Sequence, residues 1–318
     1  MGHRKGAPGF ERQIATMAVK KRHVFLGILL FCMAACVGIS RMEFLKFRDQ
    51  PERMESRILA ATRMNATFHP MSGNQLAYVS VGNPSKPMLV LVHGSPGSCT
   101  AFMPFLQDTA LLRRFQMVAV DRLGFGYSQF GTAEGSLKIQ ADAILATVRN
   151  LPAPYKLWVG HSLGAPVIVE AAIEDPDQVQ GLMLVGGSVD PDLEPREWWH
   201  GPLNWPVVRW MLPPAFRVSN QEIMPLYDEL VKQSKNWSAI QCPVAFVHGT
   251  DDFLVDINNL YFVKDHMPPQ VPLYIDTLSG ADHFILWTRM DVMQHDVLEL
   301  NRLVETHGEH TSDELTDH

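Results

Sequence analysis

Ser162 lies between two glycines in Gly160-His161-Ser162-Leu163-Gly164. A short apolar run, Tyr155 to Val159, precedes this pentapeptide, and a helix-like pattern, Ala165 to Glu174, follows it. Glycines on both sides of a serine allow a strand to turn sharply into a helix, because a larger side chain there would strike its neighbours. The serine hydroxyl is then presented at the tip of the turn. The chemistry that this spacing points to is covalent catalysis, with Ser162 as nucleophile.

A serine hydroxyl is a weak nucleophile at neutral pH. It needs a base within hydrogen-bond reach, and the base needs an orienting carboxylate. Residues 244–247 read as a strand and run into His248-Gly249-Thr250-Asp251-Asp252. A turn after a core strand is where the acid belongs. Asp251 and Asp252 compete for that role, and Asp256 is a more distant candidate; each also suits a turn or helix cap. The base is sought after the last strand, where Leu278-Ser279-Gly280-Ala281-Asp282-His283 opens the final helical stretch. His283 is expected to project back toward the strand ends. His161 is expected to point away from the pocket, His248 to be structural, and His266 and His295 to lie in helices remote from a strand end.

Attack on a carbonyl places negative charge on its oxygen, and backbone N–H groups stabilise that charge. Leu163 supplies one N–H at the start of the helix after Ser162. The second is expected from His93-Gly94-Ser95-Pro96-Gly97-Ser98, which follows the strand at residues 88–92. Proline has no N–H, so Ser95 is the candidate donor. Asp121-Arg122-Leu123-Gly124-Phe125-Gly126-Tyr127-Ser128 carries two spaced glycines but no phosphate-loop pattern, and reads as a turn that braces the Ser95 loop. No Cys/His spacing indicates zinc.

These residues need a frame that gathers them. Strand-like runs at 75–81, 88–92, 116–121, 156–159, 181–185, 244–247 and 272–276 alternate with helical stretches near 136–149, 165–174, 257–266 and 284–304. Several runs are continuously apolar, as strands of a parallel sheet covered on both faces are. The fold class expected is α/β, a mostly parallel sheet flanked by helices, and in such sheets ligands bind at the carboxyl ends of strands. Every motif proposed above for the chemistry lies at such an end. Residues 188–240 break the alternation with seven prolines and five of the seven tryptophans. They read as a helical cap, its aromatics shaping an acyl pocket or fixing the cap to the core.

The chain has 318 residues, 46% hydrophobic and 19% charged, and a net charge of −7. This is a globular composition with no nucleic-acid footprint. Cys99 and Cys242 stand alone in the body of the chain and are expected as buried small hydrophobes. Residues 1–40 hold an uncharged apolar run, Val24 to Ile39, after Lys20-Lys21-Arg22. It is expected as a membrane anchor with an extracytoplasmic catalytic domain, the alternatives being a cleaved secretion signal or a lipoprotein signal at Met33-Ala34-Ala35-Cys36. Residues 41–69 read as a linker, with apolar residues at irregular helical spacing over 41–65 that suit either a juxtamembrane linker or a short helix, and 305–318 as a disordered tail, leaving 70–304 as the folded domain.

Taken together, the segments at 93–97, 121–128, 160–164, 248–252 and 282–283 resemble the α/β-hydrolase fold family over roughly residues 70–304. The resemblance implies a Ser162–His283–Asp252 triad, the acid lying four residues after the His of the His-Gly pair. It implies Ser95 and Leu163 as oxyanion donors and no cofactor. Serine at the elbow argues against the epoxide hydrolase and haloalkane dehalogenase branches, which use aspartate there. The expected activity is esterase- or lipase-like hydrolysis of a small-molecule ester or lipid. The alternatives are C–C bond hydrolysis, cofactor-free haloperoxidation and a non-catalytic binding protein of the same fold.

Overall fold

A computed structural model describes residues 26, 27, 31 and 33–316, with side chains described as far as residue 308. Its strands are β1 (Ala66–His69), β2 (Tyr78–Val81), β3 (Met88–Val92), β4 (Gln116–Val120), β5 (Lys156–His161), β6 (Gly181–Val185), β7 (Val244–Gly249) and β8 (Leu273–Leu278). They form one sheet in the order β1-β2-β4-β3-β5-β6-β7-β8. The pairs β1–β2 and β2–β4 are antiparallel, and all later pairs are parallel. Every residue of β3, β4, β5, β6 and β7 is buried, which is why these runs carry no polar alternation.

The helices are α1 (Pro51–Thr62), α2 (Leu137–Val148), α3 (Gly164–Glu174), α4 (Pro206–Met211), α5 (Pro214–Ile223), α6 (Leu226–Ser234), α7 (Asn259–His266) and α8 (Met290–Thr316), with shorter turns between them. Successive strand residues point to opposite faces. Val90, Trp158, Leu182 and Phe246 pack on one face with Ile144 of α2 and Ile168 of α3. Leu89, Val159, Met183 and Val247 pack on the other with Met54 and Ile58 of α1 and Val297 of α8. The site residues lie where the central strands emerge from this double-sided core.

The cap consists of α4 to α6 and a short helix at His200–Leu203, between β6 and β7. Two of its prolines are helix starters: Pro206 and Pro214 occupy first positions, where a missing N–H costs nothing. Trp237 is 1% exposed and packs in the core with Leu226 and Leu230, and the Gln233 amide donates to the carbonyl of Pro166 at 2.9 Å. Of the cap's tryptophans, Trp237 alone fixes the cap to the core. Trp198, Trp199, Trp205 and Trp210 remain exposed.

Two boundaries differ from the sequence expectation. Residues 41–69 are not a linker: α1 buries Met54 and Ile58, and β1 extends the sheet. The signal was faint because α1 shows the core only one pair of apolar residues, four apart, and β1 has four residues. The polar stretch from Glu305 is not disordered as far as Thr316, since α8 runs through it. The expected anchor lies partly outside the described residues; residues 33–40 of it are helical. Among the described residues no helix is long and apolar enough to cross a membrane.

Candidate active site

Ser162 follows the last residue of β5 and has φ +54°, the left-handed region that non-glycine residues rarely occupy. Its N–H donates to the carbonyl of Val185 at 2.9 Å, and its carbonyl accepts from Ala165 in the first turn of α3. The flanking glycines permit this turn. A Cβ on Gly164 would lie 2.3 Å from the carbonyl oxygen of Val92, and one on Gly160 would lie 2.5 Å from that of Gly164. Strand β3, strand β5 and α3 therefore close on one another only because both positions lack side chains.

His283 is buried, and its Nδ1 lies 2.7 Å from Oδ2 of Asp252. A carboxylate accepts, so Nδ1 carries the proton and Nε2 is left with its lone pair. The two residues are 31 apart in sequence. Their loops are laced together: Thr250 N–H donates to Leu278 at 3.0 Å and Asp251 N–H to Ala281 at 2.9 Å. Gly249 allows the approach, since a Cβ there would be 2.2 Å from the carbonyl oxygen of Ala281.

Of the competing acids, Asp252 faces the histidine; Asp251 is exposed and accepts from the Thr250 hydroxyl. The Asp252 side chain is 1% exposed. Its Oδ1 accepts the N–H groups of Leu254 and Val255, both at 2.9 Å, and Nε2 of His248 lies 3.3 Å from Oδ2. Burial pushes this carboxyl up, but the bonds from His248, His283 and Val255 outweigh it and hold it below the usual carboxylate range. His248 also donates to the carbonyl of Val255 at 3.0 Å, so its part is to brace the acid turn.

Ser162, His283, Ser95 and Leu163 all border one cavity of about 1170 Å³. No hydrogen bond joins the Ser162 hydroxyl to the His283 ring; such contacts commonly tighten only when substrate is bound. Among the described residues no protein group accepts the N–H of Ser95 or Leu163. Trp199, Phe216, Leu226, Phe253 and Trp287 give the cavity a largely apolar wall, and Glu194 and His200 a polar corner. Burial raises the Glu194 carboxyl, which accepts from the Ser188 hydroxyl at 2.5 Å. Among the described residues no cluster of three His, Cys, Asp or Glu side chains is arranged to hold a metal ion.

The sequence pattern of the alpha/beta hydrolase fold matches residues 87–217. Eight strands in this order, a serine with left-handed backbone at the β5–α3 turn and an acid–histidine pair beyond β7 and β8 agree with that pattern. The chain has the α/β-hydrolase fold. A pimeloyl-acyl-carrier-protein methyl ester esterase from Shewanella oneidensis is 33% identical over 115 residues, 36% of this chain and 40% of that protein. A 2-(acetamidomethylene)succinate hydrolase from Mesorhizobium japonicum is 33% identical over 101 residues, 32% of this chain and 36% of the relative. The matched stretches thus span 40% or less of these relatives. A solved bacterial membrane phospholipase A superimposes with a TM-score of 0.57 at 15% identity, over 91% of this chain and 99% of its own. A 2-hydroxy-6-oxo-6-phenylhexa-2,4-dienoate hydrolase from Rhodococcus gives 0.55 at 21% identity, over 75% and 99%.

Within this α/β-hydrolase fold two features lie beyond the sequence reading. His161 does not turn away from the pocket. It borders the cavity, its ring is 4.8 Å from that of His283, and its Nε2 contacts the His283 carbonyl at 3.2 Å. Burial, followed by the neighbouring His283, lowers the His161 ring to about 3. Arg122, expected only as part of a bracing turn, binds the carbonyls of His93 and Gly94 and pairs with Glu222 on the cap. Nothing in local sequence marks Glu222, because its partner is 100 residues away. The brace itself is real: Asp121 accepts the N–H groups of Cys99 at 2.7 Å and Tyr127 at 2.8 Å. Gly126, at φ +51°, lies so close that a Cβ would reach 2.0 Å from Asp121 Cγ.

Proposed function

We propose that this chain is a serine hydrolase that cleaves carboxylic esters through an acyl-enzyme on Ser162. The observation that carries the reading is the strained Ser162 facing the same cavity as a buried histidine whose far nitrogen is held by Asp252. In this mechanism Nε2 of His283 takes the Ser162 proton as the hydroxyl attacks the ester carbonyl. Asp252 keeps the imidazole in the Nδ1–H tautomer and stabilises its positive charge. The N–H groups of Ser95 and Leu163 receive the oxyanion, each worth on the order of 100-fold in rate. His283 then protonates the leaving alcohol and activates the water that frees the acyl group.

The apolar wall favours uncharged, apolar acyl groups, and its volume admits chains longer than acetyl. The esterase name of one sequence relative supports the same bond type, and the hydrolase name of the other supports hydrolysis more broadly. Membrane association through the N-terminal apolar run is part of the proposal. The deciding experiment is labelling with a fluorophosphonate: the wild-type chain labels and Ser162→Ala does not. Equal labelling of the two would end the assignment. A nitrophenyl ester series with no preference among acyl chains would end the pocket reading alone.

A further inference from the structure

Helix α4, Pro206-Val207-Val208-Arg209-Trp210-Met211, buries none of its residues, although all but Arg209 are apolar. Trp205 at its start is 64% exposed and Trp210 is 50% exposed. Such a helix should face the core, yet it stands clear of it. Beside it is a second cavity of about 330 Å³, lined by Asn204, Pro206, Arg209, Trp210 and Arg217. Nε of Arg217 is buried there with no hydrogen-bond partner.

The charges around this cavity are of one sign. The arginines in ion pairs among the described residues are Arg53, Arg57, Arg122, Arg149, Arg289 and Arg302, so Arg41, Arg209 and Arg217 have no acidic partner there. Burial, then the charges of Arg209 and Arg41, lower the proton affinity of Arg217, so the three guanidiniums lie within electrostatic reach. An uncompensated basic cluster stands out on a chain of net charge −7. Guanidinium pairs bind phosphate oxygens in a fork, and tryptophan favours the headgroup level of a bilayer. Arg41 follows the helical residues 33–40, and Ile39 before it and Met42 after it are also exposed. Phe216, on the helix that carries Arg217, borders the active-site cavity.

We propose that this face of the cap docks on a lipid bilayer, with Trp205 and Trp210 at the headgroup level and Arg209 and Arg217 holding the phosphate of an anionic headgroup. A bilayer accounts for the exposed apolar helix, the tryptophans and the unpaired arginines together; an acidic protein surface would leave the apolar helix unexplained. The docking does not depend on the acyl-transfer reading, since none of these residues belongs to the Ser162 site.

The test is co-sedimentation of the full chain with vesicles of phosphatidylcholine, alone or mixed with phosphatidylglycerol. The wild type is expected to favour the mixed vesicles. Arg209→Gln with Arg217→Gln should lose about 25-fold of that preference, roughly fivefold for each charge, and leave binding to phosphatidylcholine unchanged. Trp205→Ala with Trp210→Ala should weaken binding to both. Turnover of a soluble nitrophenyl ester should be the same in all, which also reports intact folding. Undiminished preference in the arginine variant overturns the proposal. So does a wild type that binds inorganic phosphate but shows no preference between the vesicles.

Discussion

Arg122 and Glu222 form a two-pronged ion pair, at 2.8 and 3.1 Å, with side chains 0% and 2% exposed. The same guanidinium donates to the carbonyls of His93 at 2.8 Å and Gly94 at 3.1 Å. One side chain therefore ties the Ser95 loop to cap helix α5. Removing one partner leaves a buried charge unpaired, which costs about 3–5 kcal/mol, whereas replacing both by apolar groups costs much less. Glu222→Leu and Arg122→Met should each lose that stability in denaturant titration. The double variant should lose less than either single one. Additive losses would show that the two side chains act separately.

Ser162 has the backbone of a glycine and the side chain of a nucleophile. A non-glycine residue at φ +54° stores on the order of 1 kcal/mol. Ser162→Gly should therefore unfold at a temperature a few degrees higher than wild type and show no turnover. Ser162→Ala should keep the strain and the wild-type melting temperature while losing at least about 10⁴-fold in kcat. A glycine variant no more stable than the alanine one would remove strain from the account of this turn.

The strands and the chemical residues could be read from the chain because both are local patterns. Continuous apolar runs fix β3 to β7, and the glycines around Ser162 are demanded by contacts with adjacent elements. The choice between Asp251 and Asp252 was not local. It depends on which carboxylate the turn directs inward, and that follows from the N–H groups of Leu254 and Val255 capping Oδ1 of Asp252. Helix α1 is legible only as an alternative to a linker, and strand β1 not at all, because each offers the core so few residues. Glu222 and the inward face of His161 depend on long-range packing, to which pattern within a segment is blind.

Asp252 links folding to pH. Its carboxyl is held below the usual range in the folded chain, while an unfolded aspartate titrates near 3.9. A depressed folded value contributes stability that is fully present above the unfolded value and is lost as pH falls through the folded one. The stability gap between wild type and Asp252→Asn should therefore be constant at neutral pH and shrink steadily as pH falls below about 4. The Asn variant should also lose about 10⁴-fold in kcat at neutral pH, because an amide cannot enforce the Nδ1–H tautomer or stabilise the imidazolium. Urea titrations at stepped pH check the first claim, and a gap that widens in acid would reverse its sign.

Gly249 controls whether acid and base can meet at all. Its backbone passes so close to the histidine loop that a methyl group would overlap the Ala281 carbonyl oxygen, which it would approach to 2.2 Å. Gly249→Ala must push the two loops apart, stretching the bonds from Thr250 to Leu278 and from Asp251 to Ala281. A displacement of about 1 Å at a reacting group can cost on the order of 100-fold in rate. The loss should fall on kcat more than on KM, because the cavity walls that hold the acyl group are built elsewhere. The rate of fluorophosphonate labelling should fall in parallel, since it depends on the same proton transfer from Ser162. The low-field proton signal of the His283–Asp252 bond should broaden or vanish in the variant. Wild-type kcat with that signal intact would show that the loops accommodate the methyl group without disturbing the pair.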